Sequence, residues 1–298
     1  MQSPSDTKNI YVVITPVRNE AAFIGRTIDS MIAQTVRPAQ WVIVNDGSTD
    51  DTADIVRAHI AGHPWIRLIQ RPDRGFRQRG GGVIKAFNAG YAALTITDYH
   101  FIVKLDGDVS FAPDYFERLL ARFTAQPRLG IAGGTCYVQD GKTWKPEGTD
   151  PTHVRGATKM YRRACFEDIG GLVAHLGWDG VDEWQARTRG WQAQSFLDIP
   201  IYHHRTTGGA GGFLQGRIEQ GRAAYYMGYH PLFMLARGVR RMADRPFVLG
   251  GLSLLWGYAS DWLRQRKQVN DPAMIHFLRQ NQLKRLGLAP RRPIGDHL

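Results

Sequence analysis

Short β-branched runs alternate with segments of helical period along the first hundred residues, and this alternation confines the chain to a layered α/β fold. Residues 10–15 (IYVVIT) and 41–45 (WVIVN) read as strands. Between them, residues 21–34 carry Phe23, Ile24, Ile28, Met31 and Ile32 at helical spacing, which makes a β-α-β unit. Residues 48–51 (STDD) can cap a second helix running through Ala61. A third strand follows at 66–70, and a third helix at 83–94 opens after Gly80, Gly81 and Gly82. Parallel strands joined by crossover helices form an open, mostly parallel sheet, and such sheets take ligands at the carboxyl ends of their strands.

The next strand carries the chemistry. In residues 104–109 (KLDGDV), after the apolar Phe101, Ile102 and Val103, two carboxylates flank a glycine where a buried strand ends. Residues two apart on an extended chain face the same way, so Asp106 and Asp108 repel unless a cation or a proton lies between them. A metal site is one reading and a solvated Asp-Gly turn is the other. The neighbouring strand ends help to choose. The first strand ends in residues 15–20 (TPVRNE) and the second in residues 45–48 (NDGS), so all three face one crevice. A rim aspartate can accept a base N–H or a ribose hydroxyl, and a hard divalent cation on one or two carboxylates keeps positions open for phosphates. Those parts suit a nucleoside diphosphate. The patterns GxxxxGK[ST] and GxGxxG after a strand are both missing, which counts against P-loop and dinucleotide-binding enzymes.

Charge is unevenly spread. Residues 217–298 hold 14 Lys/Arg against five Asp/Glu, so +9 of the formal +11 lies in the C-terminal quarter. The same quarter contains the apolar residues 247–259 (FVLGGLSLLWGYA), with Arg240, Arg241 and Arg245 before them and Arg264, Arg266 and Lys267 after. The run is shorter than the ~20 residues a membrane span needs. It reads as an interfacial segment on an anionic membrane or as a core helix with solvated flanks, and the joint concentration of charge and apolar surface favours the membrane. No nucleic-acid-binding pattern accompanies the basic residues, so nucleic acid is not an expected partner. The two cysteines, Cys136 and Cys165, form neither a CxxC nor a Cys/His cluster, which fits a reducing cytoplasmic setting. The polar opening residues lack the apolar core of a signal peptide. The organisation expected is a loose tail at 1–9, a sheet domain at 10–215 and a helical region at 216–298, with the change near the glycines at 208–212.

Taken together, TPVRNE, VNDGSTDDT and KLDGD, in that order, resemble the family 2 glycosyltransferases, nucleotide-sugar enzymes of GT-A fold. The resemblance covers about residues 10–205 and implies the following roles. Asp46 resembles the aspartate that contacts the base, with Pro16, Arg18, Asn19, Glu20 and Ser48 lining the same pocket. Asp106 and Asp108 resemble the D-x-D pair that holds Mg2+ or Mn2+ on the donor diphosphate, with Asp106 closer to the ribose or sharing the metal. Many relatives have two aspartates where this chain has Asn45 and Asp46, which leaves the base unspecified.

An acceptor hydroxyl needs a base. Residues 177–184 (GWDGVDEW) precede a helix ending at Gly190 and are similar to the family's acidic motif without its usual Glu-Asp form. Asp182 is the first candidate, then Glu183, then Asp179, and the competing role for such residues is to cap the helix. In residues 74–82 (RGFRQRGGG), Arg77 and Arg79 can wrap a diphosphate while the glycines open the helix that carries Lys85, or the stretch is simply a basic loop. His203 resembles a late histidine that serves some GT-A enzymes as a third metal ligand. Tyr225, Tyr226, Trp256, Tyr258 and Trp262 suit either an interfacial surface or a helical core. The implied protein is a metal-dependent, inverting glycosyltransferase at the inner membrane face, passing sugar from a nucleotide-diphosphate donor to a lipid-linked hydroxyl acceptor in surface polysaccharide synthesis. Sugar transfer onto a polyprenyl phosphate and non-catalytic binding of a nucleotide sugar or polyanion are the alternatives.

Overall fold

The computed structural model describes residues 9–76, 80–141, 143–148, 150–205 and 212–288, and the chain divides into two compact units, Met1–Thr206 and Thr207–Leu298. In the first unit β1 (Tyr11–Val17), α1 (Ile24–Ile32), β2 (Gln40–Asp46), α2 (Thr52–Ile60), β3 (Ile66–Arg71), α3 (Gly81–Ala92) and β4 (Phe101–Leu105) alternate as the periodicity requires. β1 pairs in parallel with β2 and β4, and β2 in parallel with β3.

β1, β2 and β4 are near-continuous apolar runs, Lys104 apart, because both faces of the sheet are covered there, whereas β3 is partly exposed. Val13, Ile43 and Val103 point into one core with Ile28 and Phe116, whereas Val12, Ile14, Val42, Val44 and Ile102 point into the other with Ile84 and Phe87. On the second face, α3 comes so close to the sheet at Gly90 that a Cβ there would lie 2.6 Å from Ile14 Cγ2.

Beyond β4 the sheet becomes mixed, with antiparallel pairs beside a parallel one. The chain continues through β5 (Val109–Phe111), α4 (Tyr115–Ala125), β6 (Leu129–Asp140), β7 (Thr143–Pro146), β8 (Thr158–Arg162), α5 (Arg163–Asp168), α6 (Trp178–Thr188) and β9 (Gln192–His203). The strand order is β3-β2-β1-β4-β8-β6-β9-β5, with β7 on β6. β8 enters antiparallel between β4 and β6, and β5 is antiparallel to β9. The mostly parallel sheet expected from the sequence is therefore a mixed one. Successive parallel strands run through β4; after it the β6–β7 hairpin reverses the chain and β8 runs against both neighbours, while β9, reached through α5 and α6, returns parallel to β6.

The second unit contains α7 (Phe213–Tyr226), α8 (Pro231–Arg241), α9 (Leu249–Leu263) and α10 (Pro272–Arg285). Glycines let α7 and α9 touch backbone to backbone: a Cβ on Gly257 would lie 2.0 Å from the Ile218 carbonyl oxygen. Ala224, Tyr225, Met234, Leu254 and Tyr258 form its core. Asp271 caps α10 by accepting the Met274 N–H at 2.9 Å, with Pro272 at the first helical position. The apolar residues 247–259 are thus partly a core helix. Leu254 and Tyr258 are buried while Phe247, Leu249, Leu252 and Trp256 stay exposed. No helix among the described residues is long and apolar enough to cross a membrane.

Candidate active site

The carboxyl ends of β2, β1 and β4 lie side by side, and the residues that follow them share one network. Asn19, at φ 55°, donates its N–H to Ser48 Oγ at 3.0 Å, and its Oδ1 accepts from the Thr49 N–H at 2.8 Å. Asn tolerates this left-handed backbone better than most residues, so Asn19 ties the β1 and β2 loops together. Asp46 is buried and receives Arg71 Nη1 on Oδ1 and Arg74 Nη1 on Oδ2, each at 2.6 Å. Arg18 links the same corner, donating to the Asp46 carbonyl and pairing with Asp73 at 2.6 Å. Pro16 is buried within β1, opposite Val44.

Asp106 and Asp108 follow β4. Gly107 between them has no room for a side chain, since a Cβ would lie 2.6 Å from Val17 Cγ1. Lys104 Nζ pairs with Asp106 Oδ1, and the Asp106 side chain keeps 28% of its surface exposed. Burial, aided by the neighbouring Asp108 charge, raises the Asp106 carboxyl above its usual range against the pull of Lys104. Asp108 is more enclosed. Burial alone would raise it, but the hydrogen bond and charge of His203, with the Arg205 guanidinium, hold it below the usual range. His203 Nε2 lies 3.3 Å and Arg205 Nε 3.5 Å from Asp108 Oδ2. Burial favours the neutral His203 ring, yet the Asp108 hydrogen bond, the Cys136 thiol beside it and the two aspartate charges push it up to about 10. Arg205 also pairs with Glu20 Oε2 at 2.5 Å and donates to the Asn19 carbonyl at 3.1 Å. Asp46, Glu20, Asp106, Asp108 and His203 thus occupy one edge of one sheet. Two hard carboxylates backed by cationic side chains fit a Mg2+ or Mn2+ that neutralises them in the presence of a diphosphate.

The acidic motif is distributed differently from its sequence ranking. Asp182 lies 1% exposed, with Lys159 Nζ 2.9 Å from both carboxylate oxygens and the Tyr161 hydroxyl donating at 2.6 Å. Burial and the Glu183 charge raise its carboxyl despite Lys159. Glu183 is equally enclosed, accepting the Val154 N–H at 2.7 Å and facing His153 Nδ1 at 3.1 Å. Lys159, His153 and Arg187 bring it down to about 2 against the effect of burial. Neither carboxylate reaches the crevice as it stands. Asp179, in the first turn of α6, is half-buried and makes no side-chain hydrogen bond or ion pair among the described residues. Its Cβ lies 3.5 Å from where a Gly156 Cβ would stand, and the Gly156 carbonyl accepts from Lys104 Nζ at 2.6 Å. That places Asp179 beside the support of Asp106.

Lys85 is exposed on α3, and Arg77 and Arg79 lie outside the described residues, as do the glycines at 208–211. Arg71, Arg205 and Lys159 belong to none of the sequence-predicted site residues, and Arg74 opens the basic stretch 74–82 in which Arg77 and Arg79 are the expected phosphate contacts. A lysine inside the buried run 158–161 is the one legible signal, because an ammonium rarely enters a core unpaired.

The family model for "Glycosyl transferase family 2" matches residues 12–178. The chain belongs to the family 2 glycosyltransferases. A chondroitin synthase of Pasteurella multocida is 30% identical over 141 residues, 47% of this chain and 13% of that protein. The chain therefore spans only a small part of the length of such relatives. Among solved structures, a mannosyltransferase of Pyrobaculum calidifontis in complex with GDP-Man and Mn2+ aligns with a TM-score of 0.54 at 18% identity, covering 94% of this chain and 80% of that one. S. aureus TarS 1-349 in complex with UDP-GlcNAc aligns at 0.53 and 14%, covering 92% and 81%. At those identities the likeness is one of fold, and this family 2 enzyme has the GT-A architecture.

Proposed function

We propose that the chain moves a sugar from a nucleoside-diphosphate donor to a hydroxyl acceptor, with inversion at the anomeric carbon and with a divalent cation. The observation that carries this reading is the common edge on which Asp46, Asp106 and Asp108 meet at the ends of adjacent parallel strands. The GDP-Man and UDP-GlcNAc of the two aligned enzymes agree with a nucleotide-sugar donor. Asp46 and its arginines receive the nucleoside and the first phosphate. Asp106 and Asp108 hold the cation, and His203, which the resemblance makes a third metal ligand, orients Asp108 through Nε2. When bound, Mg2+ or Mn2+ supplies Lewis-acid stabilisation of charge developing on the departing diphosphate.

Asp179 takes the acceptor proton. It comes ahead of Asp182 and Glu183 because those two are spent on a buried ammonium, and a base must reach the hydroxyl it deprotonates. In this reading the acceptor hydroxyl is carried on a lipid at the inner face of the membrane, in surface polysaccharide synthesis. Support comes from the second unit: α8 leaves Leu232, Leu235 and Val239 exposed on one stripe, and α9 leaves Leu252 and Trp256 exposed, amid Arg237, Arg240 and Arg241.

A thermal-shift screen of nucleoside diphosphates and nucleotide sugars, with and without Mn2+, tests the donor site. One base class should stabilise the wild type only with the cation, and Asp108→Asn should lose that increment. Equal stabilisation of the variant would remove the D-x-D assignment.

A further inference from the structure

Behind the D-x-D edge lies a second set of metal-type ligands. Cys136 is on β6, and across the β6–β7 hairpin the Glu147 N–H donates to the Cys136 carbonyl at 2.7 Å, which brings residue 147 opposite residue 136. On the other side β6 runs parallel to β9, pairing Cys136 with Ile201 and Val138 with His203. Residues 136 and 138 share a face, as do 201 and 203, so the His203 ring falls diagonally beside the thiol. One ligand atom from each of Cys136, Glu147 and His203 lies within 4.8 Å of the other two.

Two of the three offer a buried ligand atom that takes no hydrogen bond among the described residues. Glu147 Oε2 and His203 Nδ1 are buried side-chain atoms with no hydrogen-bond partner among the described residues, an arrangement that costs free energy unless something fills it. Their other atoms are held from outside. Glu147 Oε1 takes Arg155 Nη2 at 2.7 Å, and His203 Nε2 faces Asp108. A carboxylate on the far nitrogen of a histidine is the outer partner that fixes the ring and turns the other nitrogen toward a metal. A cavity of about 110 Å³, lined among others by Cys136, Glu147, His153 and Arg155, reaches the cluster and offers both a route in and space for a water.

We propose that Cys136 Sγ, Glu147 Oε2 and His203 Nδ1 form a site for a thiophilic divalent cation such as Zn2+, separate from the donor cation on Asp106 and Asp108. Three ligands of sulfur, nitrogen and oxygen with a fourth position open to the cavity make a tetrahedral zinc site. Zinc bond lengths place such ligands roughly 3.5 Å apart, so the observed cluster closes with a small side-chain movement. The set discriminates by softness: a thiolate and an imidazole prefer Zn2+, whereas the all-oxygen D-x-D pair prefers Mg2+ or Mn2+. Binding deprotonates the thiol and replaces any proton on Nδ1, leaving the Nε2–H on Asp108. The site does not depend on the glycosyl-transfer reading, since no donor or acceptor takes part.

Cobalt titration of the chelator-treated full chain tests it. One equivalent of Co2+ should give a thiolate-to-cobalt charge-transfer band with tetrahedral visible bands, and Zn2+ should displace both. The band should vanish in Cys136→Ser and persist in Cys165→Ser. Glu147→Gln should weaken cobalt affinity tenfold or more, and Asp106→Asn, which removes none of the three ligands, should keep the charge-transfer band. Thermal melts of each variant confirm the fold, and Glu147, whose side chain is 22% exposed, remains informative if the buried cysteine variant unfolds. Absence of the band in wild type, its survival in a folded Cys136→Ser, or unchanged affinity in Glu147→Gln would overturn the assignment.

Discussion

Lys104 and Lys159 face each other across the antiparallel β4–β8 ladder, both buried, with the Trp178 indole 5.2 Å from one ammonium and 5.5 Å from the other. Like charges directly opposed on a sheet repel, so each must be neutralised separately. Lys104 takes Asp106, and Lys159 takes Asp182 and Glu183. The centre of the sheet therefore braces the D-x-D edge on one side and α6 on the other. Removing a single partner leaves buried charge without compensation. Lys159→Met should lose about 3–5 kcal/mol of stability, read as a lower denaturant midpoint with little change in m.

The same pair of lysines separates the carboxylates of the acidic motif. Asp179→Asn should lower turnover by about 10²–10⁴-fold with donor affinity and melting temperature near wild type. Asp182→Asn should instead lower the melting temperature, with Lys159 losing a charged partner. Normal turnover in Asp179→Asn, with loss confined to a well-folded Asp182→Asn, would return the base to Asp182.

What the sequence made readable depended on how local the signal was. β1, α1, β2 and β4 were legible because each is a contiguous run whose period reflects coverage on both faces. Asp46, Asp106 and Asp108 were legible because each closes such a run. The reversal at β8 was not, since strand direction is decided by connections of irregular backbone. Asp182 resembled a base because spacing reports position on a helix but not what the opposite face touches. Lys159, some twenty residues earlier, is the group that decides its role, and that contact is tertiary.

Glu183 carries a pH signature. Its carboxyl is held at about 2, below its ordinary 4.5, by Lys159, His153 and Arg187 against burial. A depressed acid contributes stability that is fully present above its unfolded value and is lost as pH falls through the folded one. For Glu183 that window runs from 4.5 down to about 2 and is worth on the order of 3 kcal/mol. Glu183→Gln can still accept the Val154 N–H, so urea midpoints measured across this window should fall less steeply with acid than in wild type. Parallel curves for the two proteins would detach the acid limb from Glu183.

The exposed side of α9 bears on where the enzyme works. Trp256 is 59% exposed although the same helix buries Leu254 and Tyr258, so the second unit folds without using this indole. Exposed aromatic and leucine side chains beside arginines match the interface of an anionic bilayer, where an indole contributes by burying its ring and the guanidiniums by attraction to headgroups. Burial of one large apolar side chain is worth about 1.5–3 kcal/mol, roughly a factor of ten or more in partitioning. Trp256→Glu should therefore weaken sedimentation with phosphatidylserine vesicles at least tenfold. Its folding stability should stay within about 0.5 kcal/mol of wild type, as for other exposed positions. Leu252→Glu, four residues earlier, should act in the same direction, and added salt should weaken wild-type binding through the arginines. Vesicle binding equal in wild type and both variants would separate α9 from any membrane contact.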